Sequence, residues 1–353
     1  GDDVDLTKLP FHPQHEFDGS SYISAGIDYT IDPETGRTNV GSRRLSLRNR
    51  TQTGTNVTAP SDLKRIYTAC AARGKKLPIT FTIGAHPLDM FAATTRISGD
   101  ELSLIPTLRG ETAPVVKSLT NNIRAPADAE IILEGYLDER GYVEPEGPFG
   151  EFPQYYGPRA DRHVMEVEVI THRERPLFHT IVGGGLEHLW LGGIPREATL
   201  LDHLQRSFPS VVDVHLPVGG VCRYQLIVQI QQRQEGEAKN VIMGAFAGHY
   251  DIKQVIVVDR DVNMHDPNEV QWAIATRFQA DRDLMMISNA QGSKLDPSAR
   301  DGVSAKLGLD ATVPMSAEPF DFTRIRVPGE DTVDLGEWLA EDPLARLESV
   351  LGS

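Results

Sequence analysis

The sequence predicts an α+β chain that passes into an α/β layer. Strand-like segments crowd the part before Gly183-Gly184-Gly185, and strands alternate with helices after it. The length of 353 residues suits two domains, or three, at roughly 150 residues each. A composition of 40% apolar and 24% charged residues is that of a globular chain with a core, and excludes a disordered, coiled-coil or collagen-like protein. No apolar run approaches the roughly 18 residues that a membrane helix needs. A net charge of −15 without any basic stripe argues against nucleic acid or an anionic membrane as partner. Two cysteines, Cys70 and Cys222, cannot build a disulfide framework, so a reducing, cytoplasmic setting is expected. The start, Gly1-Asp2-Asp3-Val4-Asp5, has neither Met nor a signal-like segment, which reads as a missing or trimmed N-terminus.

The elements follow in order. Residues 1–21, rich in Pro, His and Asp, read as a connecting arm. Tyr22 to Thr30 and Thr38 to Gly41 flank the turn Pro33-Glu34-Thr35-Gly36 and predict a hairpin. Ser61 is the expected N-cap of a helix in which Leu63, Ile66, Tyr67 and Cys70 fall at i, i+3, i+4 and i+7, with Gly74 as its stop. Ile79 to Gly84, Ile131 to Leu137 and Val164 to Ile170 read as strands, the last with Glu166 and Glu168 in the middle of one face. Beyond the triple glycine, helices are expected over Pro195–Arg206, Glu237–Ala247 and Pro267–Arg277, the last capped by Asp266 with Glu269 closing a capping box. Strands are expected over Val211–Val218, Tyr224–Ile230 and Ile252–Asp259. Ser293 to Ser304 is turn-rich, and residues 311–353 read as a tail with one amphipathic helix, Leu335 to Leu351.

Three segments concentrate chemistry. In Thr38-Asn39-Val40-Gly41-Ser42-Arg43-Arg44, glycine lets the backbone approach a ligand, adjacent N–H groups can cradle phosphate, and Arg44 can clamp a carboxylate; a polar strand end with solvated arginines is the plainer alternative. In Glu144-Pro145-Glu146-Gly147-Pro148-Phe149-Gly150-Glu151, glutamates flank a rigid turn. Two carboxylates beside one arginine can divide the work, one holding a proton and the other staying charged. The aromatics Phe152, Tyr155 and Tyr156 that follow suggest a pocket, although acidic Gly/Pro segments are often surface turns. Asn39, Asp62 and Glu101 are oxygen donors without diagnostic spacing; Asp62 also complements a helix dipole, and Glu101, after Gly99-Asp100, also suits a helix start. No His-x-x-x-His, Cys-x-x-Cys, Gly-x-Ser-x-Gly, Walker or Gly-x-Gly-x-x-Gly motif occurs, which disfavours a zinc enzyme, serine hydrolase, P-loop NTPase or dinucleotide enzyme.

Taken in order, these segments resemble the UbiD family of decarboxylases, which use prenylated FMN. The resemblance runs on Asn39-(x)4-Arg44, Pro60-x-Asp62, Glu101 before Arg109-Gly110, and Glu146-Gly-Pro-Phe-Gly-Glu151. It continues through Ile194-Pro195-Arg196-Glu197-Ala198 and Val257 to Ala273, covering about Leu6 to Pro297. It implies a split β-barrel flavin-binding domain over 22–183, a C-terminal α/β oligomerisation domain over 184–310, and absence of the family's extra N-terminal region.

By the same resemblance, Asn39, Asp62 and Glu101 hold Mn2+ or Mg2+ beside the flavin phosphate, with K+ as a further candidate ion; the family more often has His where Asp62 stands. Asn39, Val40, Gly41, Ser42, Arg43 and Arg44, with Ser61, Asp62 and Glu101, would line the cofactor. No basic residue between Phe246 and Lys253 matches the family's phosphate contact. Arg44 would orient the substrate carboxylate, Glu151 would deliver the proton that replaces CO2, and Glu146 would hold Arg44. Thr58, Leu191, Ser293 and Leu295 would line the substrate pocket, with His188 and Trp190 close by, pointing to an aromatic or heteroaromatic, or α,β-unsaturated, acid. A flavin prenyltransferase would supply the cofactor, and a homodimer or homohexamer is implied. The rival readings are a flavin-dependent oxidoreductase on a split-barrel scaffold and a non-catalytic subunit of a decarboxylase complex.

Overall fold

The computed structural model describes residues 3–57, 61–338, 343, 345–346 and 349. Two compact units emerge, Gly1–Thr312 and Val313–Ser353. The first begins with the hairpin β1 (Tyr22–Ile31) and β2 (Thr38–Leu47). Its turn is held by Asp32, whose carboxylate accepts from Glu34 N and Thr35 Oγ1. There follow β3 (Gln52–Thr55), α1 (Asp62–Ala71), β4 (Leu77–Ile83), α2 (Pro87–Thr94), α3 (Leu104–Arg109), the short pair β5 (Val115–Lys117) and β6 (Arg124–Pro126), and β7 (Ile131–Leu137). Next come β8 (Glu144–Glu146), β9 (Phe149–Gly150), β10 (Tyr156–Gly157) and β11 (Ala160–His172).

Strands β3-β2-β1-β4-β7-β11 pair antiparallel in that order, and β11 returns to β3 through Val164 against Gly54. The result is a closed six-stranded barrel, which leaves no open sheet edge. β8 extends the sheet from β11. The barrel core holds Leu45, Leu77, Ile79, Phe81, Leu133 and Met165, and Leu63, Ile66 and Tyr67 of α1 pack against it. Each such burial is worth about 1.5–3 kcal/mol. Ser61 caps α1 as expected, accepting from Lys64 N at 3.1 Å.

The second layer starts at α4 (Leu186–Ser207), followed by β12 (Val211–His215), β13 (Gln225–Ile230), α5 (Glu237–Gly248), β14 (Gln254–Asp259), α6 (Pro267–Arg277), β15 (Leu284–Gln291) and β16 (Val303–Ala311). The sheet order is β12-β13-β14-β16-β15, parallel from β13 to β16 and antiparallel at both edges. Alternation decides its faces: Leu226, Val228 and Ile230 meet α4 and α5, while Ile227, Ile256 and Val258 meet Val270 and Ala273 of α6. Asp266 caps α6, accepting from Asn268 N at 2.8 Å.

Two expectations change. The helix expected from Pro195 starts at Leu186, with Pro195 inside it. Proline removes one N–H from the ladder but still fits a helix whose other bonds and apolar face hold. Strands β15 and β16 had no clear signal: β15 is an exposed edge, so no buried face imposes alternation on Leu284-Met285-Met286-Ile287-Ser288-Asn289.

The N-terminal arm is tied down. Val4 and Leu6 are buried, Leu6 N donates to Arg50 O, and Gly19 N donates to Pro148 O. The second unit holds turns at Pro319–Phe322 and Glu330–Thr332 and the short α7 (Leu335–Trp338); most of the remaining stretch of the helix expected over Leu335 to Leu351 lies outside the described residues. No described helix is long and apolar enough to cross a membrane.

Candidate active site

The pleat of β2 splits its functional residues between two faces. Arg44 reaches the Glu-Gly-Pro-Phe-Gly-Glu element. Its Nε and Nη2 donate to Glu146 Oε1 and Oε2 at 2.8 and 3.2 Å, and its Nη1 donates to Glu151 Oε1 at 2.7 Å. The guanidinium lies 4.4 Å from the ring centre of Phe149, which meets Tyr22 edge-on. Arg162 Nε stands 3.5 Å from Glu146 Oε2. Both glutamates are buried, and they raise the Arg44 guanidinium against the lowering effect of burial. Gly147 sits at φ +94°, where a side chain is strained, so the turn between the acids demands glycine. The arm holds that turn: Asp18 Oδ1 accepts from Gly150 N at 2.9 Å. Arg43 turns the other way, with Nε 3.1 Å from Asp28 Oδ1 inside the barrel, where burial pushes the Asp28 carboxyl upward. Val40 packs its side chain into the core, so the side chain is not offered to a ligand, and its N–H donates to Glu101.

Asn39, Asp62 and Glu101 line one cavity of about 440 Å3. Glu101 is buried; its Oε2 accepts from Val40 N at 2.8 Å and Asn39 Nδ2 at 2.5 Å. Burial raises its carboxyl, and those two hydrogen bonds oppose the shift. Asn39 Oδ1 is buried without a hydrogen-bond partner. Asp62 Oδ2 meets Arg96 Nη2 at 2.9 Å, and its Oδ1 lies 3.7 Å from Arg65 Nε. Arg37 joins Arg65 and Arg96 in the lining. Three oxygen donors, one of them an orphaned buried amide oxygen, beside three guanidinium groups fit a hard divalent cation next to a phosphate. Lys253, at the end of the stretch without a phosphate contact, is bound to Asp296 and Ser298 instead.

A second group of cations lies between α4 and the C-terminal sheet. His188 is half-buried near Arg44 and Arg223, and this burial pushes its imidazole down to about 4. Its Nδ1 accepts from Gly184 N at 3.1 Å. Arg223 lies over the Phe152 ring at 4.2 Å, immediately after Glu151 in sequence. Gly192 makes room for it, since a Cβ there would meet the guanidinium at 2.1 Å. Burial pushes Arg223 down to about 10, with Arg196 adding to the effect. Nη1 of Arg196 and Nη1 of Arg223 are both buried without a hydrogen-bond partner. The nearest carboxylate, Asp251, stands 3.7 Å from Arg196 Nη2 and is itself raised by burial.

Of the residues expected around the substrate, His188 joins this region, and Ser293 is buried near Tyr224 and Asp251. Leu295 packs on the α/β core and Leu191 on the barrel-side core. Thr58 lies outside the described residues. Trp190 is half exposed; two residues on from His188 in a helix, its side chain points to a different side. Arg223 and Arg96 carry no motif, whereas Phe152 lies in the aromatic run that suggests a pocket. Only the three-dimensional convergence of a turn after Gly219-Gly220 with the Glu151 element singles out Arg223.

Likeness to known proteins identifies the family. Residues 1–186 match the 3-octaprenyl-4-hydroxybenzoate carboxy-lyase Rift-related domain, and residues 189–311 match the C-terminal domain of the same carboxy-lyase. The chain is 38% identical over 330 residues to anhydromevalonate phosphate decarboxylase of Methanosarcina mazei, covering 93% of this chain and 76% of that protein. The UbiD-class enzyme HmfF from Pelotomaculum thermopropionicum, solved with FMN, superposes with a TM-score of 0.91 at 42% identity, over 96% of this chain and 76% of that one. An evolved dimeric form of that enzyme was solved with prFMN, and it superposes at 0.86 with 38% identity over 96% and 75% of the two chains. The closed form of the Sedimentibacter hydroxybenzoicus vanillic acid decarboxylase superposes at 0.83 with 31% identity, over 98% and 74%. Barrel, α/β layer and paired domain matches together define a carboxy-lyase. The chain belongs to the UbiD family of decarboxylases.

Proposed function

We propose that this decarboxylase uses prenylated FMN to remove CO2 from a conjugated carboxylic acid that carries a second anionic group. The observation behind the second anion is the pair of half-buried guanidinium groups of Arg196 and Arg223, each with a buried Nη1 that has no hydrogen-bond partner, reached from Arg44 past His188. A buried guanidinium N–H without an acceptor is costly; Asp251, 3.7 Å from Arg196 Nη2, is one carboxylate beside two guanidinium groups, and an anionic ligand offsets the remaining charge.

Asn39, Asp62 and Glu101 would hold Mn2+ or Mg2+ against the cofactor phosphate, and the backbone of β2 would support the flavin. When bound, prenylated FMN supplies the electron sink for loss of CO2. The chain's residues do the rest. Arg44 orients the departing carboxylate. Glu146, gripped twice by Arg44 and approached by Arg162, fixes the guanidinium. Glu151 has a single contact to Arg44, so it can take up and release a proton without breaking the fork, and it protonates the carbon that loses CO2. Arg223 and Arg196 receive the second anion. Neutral His188 between the two cationic groups adds no further charge.

The relatives frame the choice of acid: one is named for a phosphorylated substrate, another for vanillic acid. An aromatic or heteroaromatic diacid and an unsaturated acid bearing phosphate both satisfy the two-anion geometry. The test is CO2 release by protein co-produced with a flavin prenyltransferase. Acids are paired on one conjugated frame, with and without a distal carboxylate or phosphate. The dianions should react with kcat/KM at least about 30-fold higher, the low end expected for pairing a buried charge. Equal turnover of the monoanions removes the two-anion reading. Consumption of NAD(P)H without CO2 favours the oxidoreductase alternative.

A further inference from the structure

We propose that Arg96 is an exchangeable counter-cation: it neutralises Asp62 until a divalent ion takes that carboxylate, and then serves the phosphate that arrives with the ion. The inference rests on the cofactor reading above and concerns residues of this chain alone. Asp62 stands in the cavity with Asn39 and Glu101, and its Oδ2 is engaged by Arg96 Nη2 at 2.9 Å. Arg65, the other guanidinium near Asp62, is anchored elsewhere: its Nη2 donates to Asp32 Oδ2 at 2.8 Å, and it approaches Asp62 Oδ1 only to 3.7 Å. Arg96 has no such anchor. Its side chain is 70% exposed, and it sits in the connection between α2 and Glu101, whose residues Ile97, Ser98 and Gly99 form one wall of the cavity. A long, exposed guanidinium loses little by leaving one carboxylate. The same side chain can then donate two parallel hydrogen bonds to a phosphate within the same cavity.

The charges explain why such a residue belongs here. Asp62 and Glu101 place two carboxylates in one cavity, and Asp28 and Asp32 lie nearby. A phosphate brought in against these carboxylates meets repulsion unless cations offset them. A divalent ion on Asn39, Asp62 and Glu101 offsets the carboxylates, and the guanidinium it displaces offsets the phosphate. Ion and phosphate thus favour one another through a residue that changes partner.

The experiment compares the cofactor-free full chain with Arg96→Ala, Asp62→Asn and the double variant. Mn2+ binding is read from the electron-paramagnetic-resonance signal of the free ion. FMN binding at saturating Mn2+ is read from quenching of flavin fluorescence. Arg96→Ala should tighten Mn2+ alone by about three- to tenfold, since the ion no longer competes with a cation, and should weaken FMN by a similar factor. In the Asp62→Asn background, Arg96→Ala should no longer tighten Mn2+. Unchanged Mn2+ affinity, or unchanged FMN affinity, in Arg96→Ala overturns the exchange. If the unsubstituted chain and the variants all fail to bind Mn2+ and FMN while thermal unfolding shows them folded, the cofactor reading itself falls. The two failures are therefore distinct.

Discussion

Glu146 and Glu151 share one guanidinium, yet they are placed for different work. Glu146 is locked by two hydrogen bonds from Arg44. Glu151 has one, and it is followed by Phe152, the ring beneath Arg223. Glu151→Gln keeps the shape and an oxygen acceptor for Arg44 but removes the proton that Glu151 is proposed to transfer. The expected result is a fall in kcat of about 10²- to 10⁴-fold with FMN affinity nearly unchanged, measured by CO2 release and flavin fluorescence. Arg223→Ala removes the proposed receiver of the second anion. It should raise KM for a dianionic acid by at least about 30-fold and leave KM for its monoanionic counterpart within a few-fold. At this scale the sequence was most readable where residues carry covalent or ionic chemistry in a rigid frame. Glycine and proline around Glu146 and Glu151 drew attention to the acids, and the resemblance to the UbiD family joined them to Arg44. Arg196 and Arg223 were not legible as a pair, because their meeting depends on how α4 lies on the sheet, and local spacing does not encode that.

Elements determine how firmly those residues are held. The arm, expected to be a mere connector, supplies Asp18, a buried carboxylate accepting from Gln14 N, His15 N and Gly150 N. Asp18→Ala leaves those N–H groups without their acceptor. It should cost about 1–3 kcal/mol of stability and lower kcat by loosening the Glu151 turn; thermal unfolding and CO2 release check the two effects. Asp18→Asn keeps an acceptor oxygen and should recover much of both. Hairpins and capped helices were legible, as β1–β2, α1 and α6 show, because turn residues and N-caps act locally. The start of α4 was not, because Pro195 is a strong stop signal that tertiary packing overrides. Edge strand β15 was not either, since an exposed strand needs no alternation.

Across the whole molecule, one buried and two half-buried imidazoles link stability to pH. Burial pushes His163 and His188 down to about 4 and His249 to about 3, all below the ordinary value near 6.5. Between those limits the unfolded chain binds more protons than the folded one, so stability rises with pH there. The contribution is complete above about 6.5 and drains away as the pH falls towards 4 and below. Urea unfolding at pH 7.5, 5.5 and 4.5 should show the midpoint dropping at each step. His163→Phe should flatten that slope, because His163 sits edge-on between the rings of Tyr67 and Tyr142 and has no hydrogen-bond partner to lose. The same protein measured at pH 7.5 should change little.

Closure of the barrel through β3 and β11 sets the order in which a newly made chain becomes competent. Arg44 is synthesised more than a hundred residues before Glu151, and β3 stays unpaired on its β11 side until residues 163–166 have emerged. The cation cavity, by contrast, draws on residues 32–101 only. Every residue of the proposed ion and phosphate pocket is therefore synthesised before the proposed proton donor. Closing so long a loop carries an entropic cost that only the finished ladder repays. On the proposed reading, recovery of decarboxylase activity during refolding should lag behind the return of flavin binding.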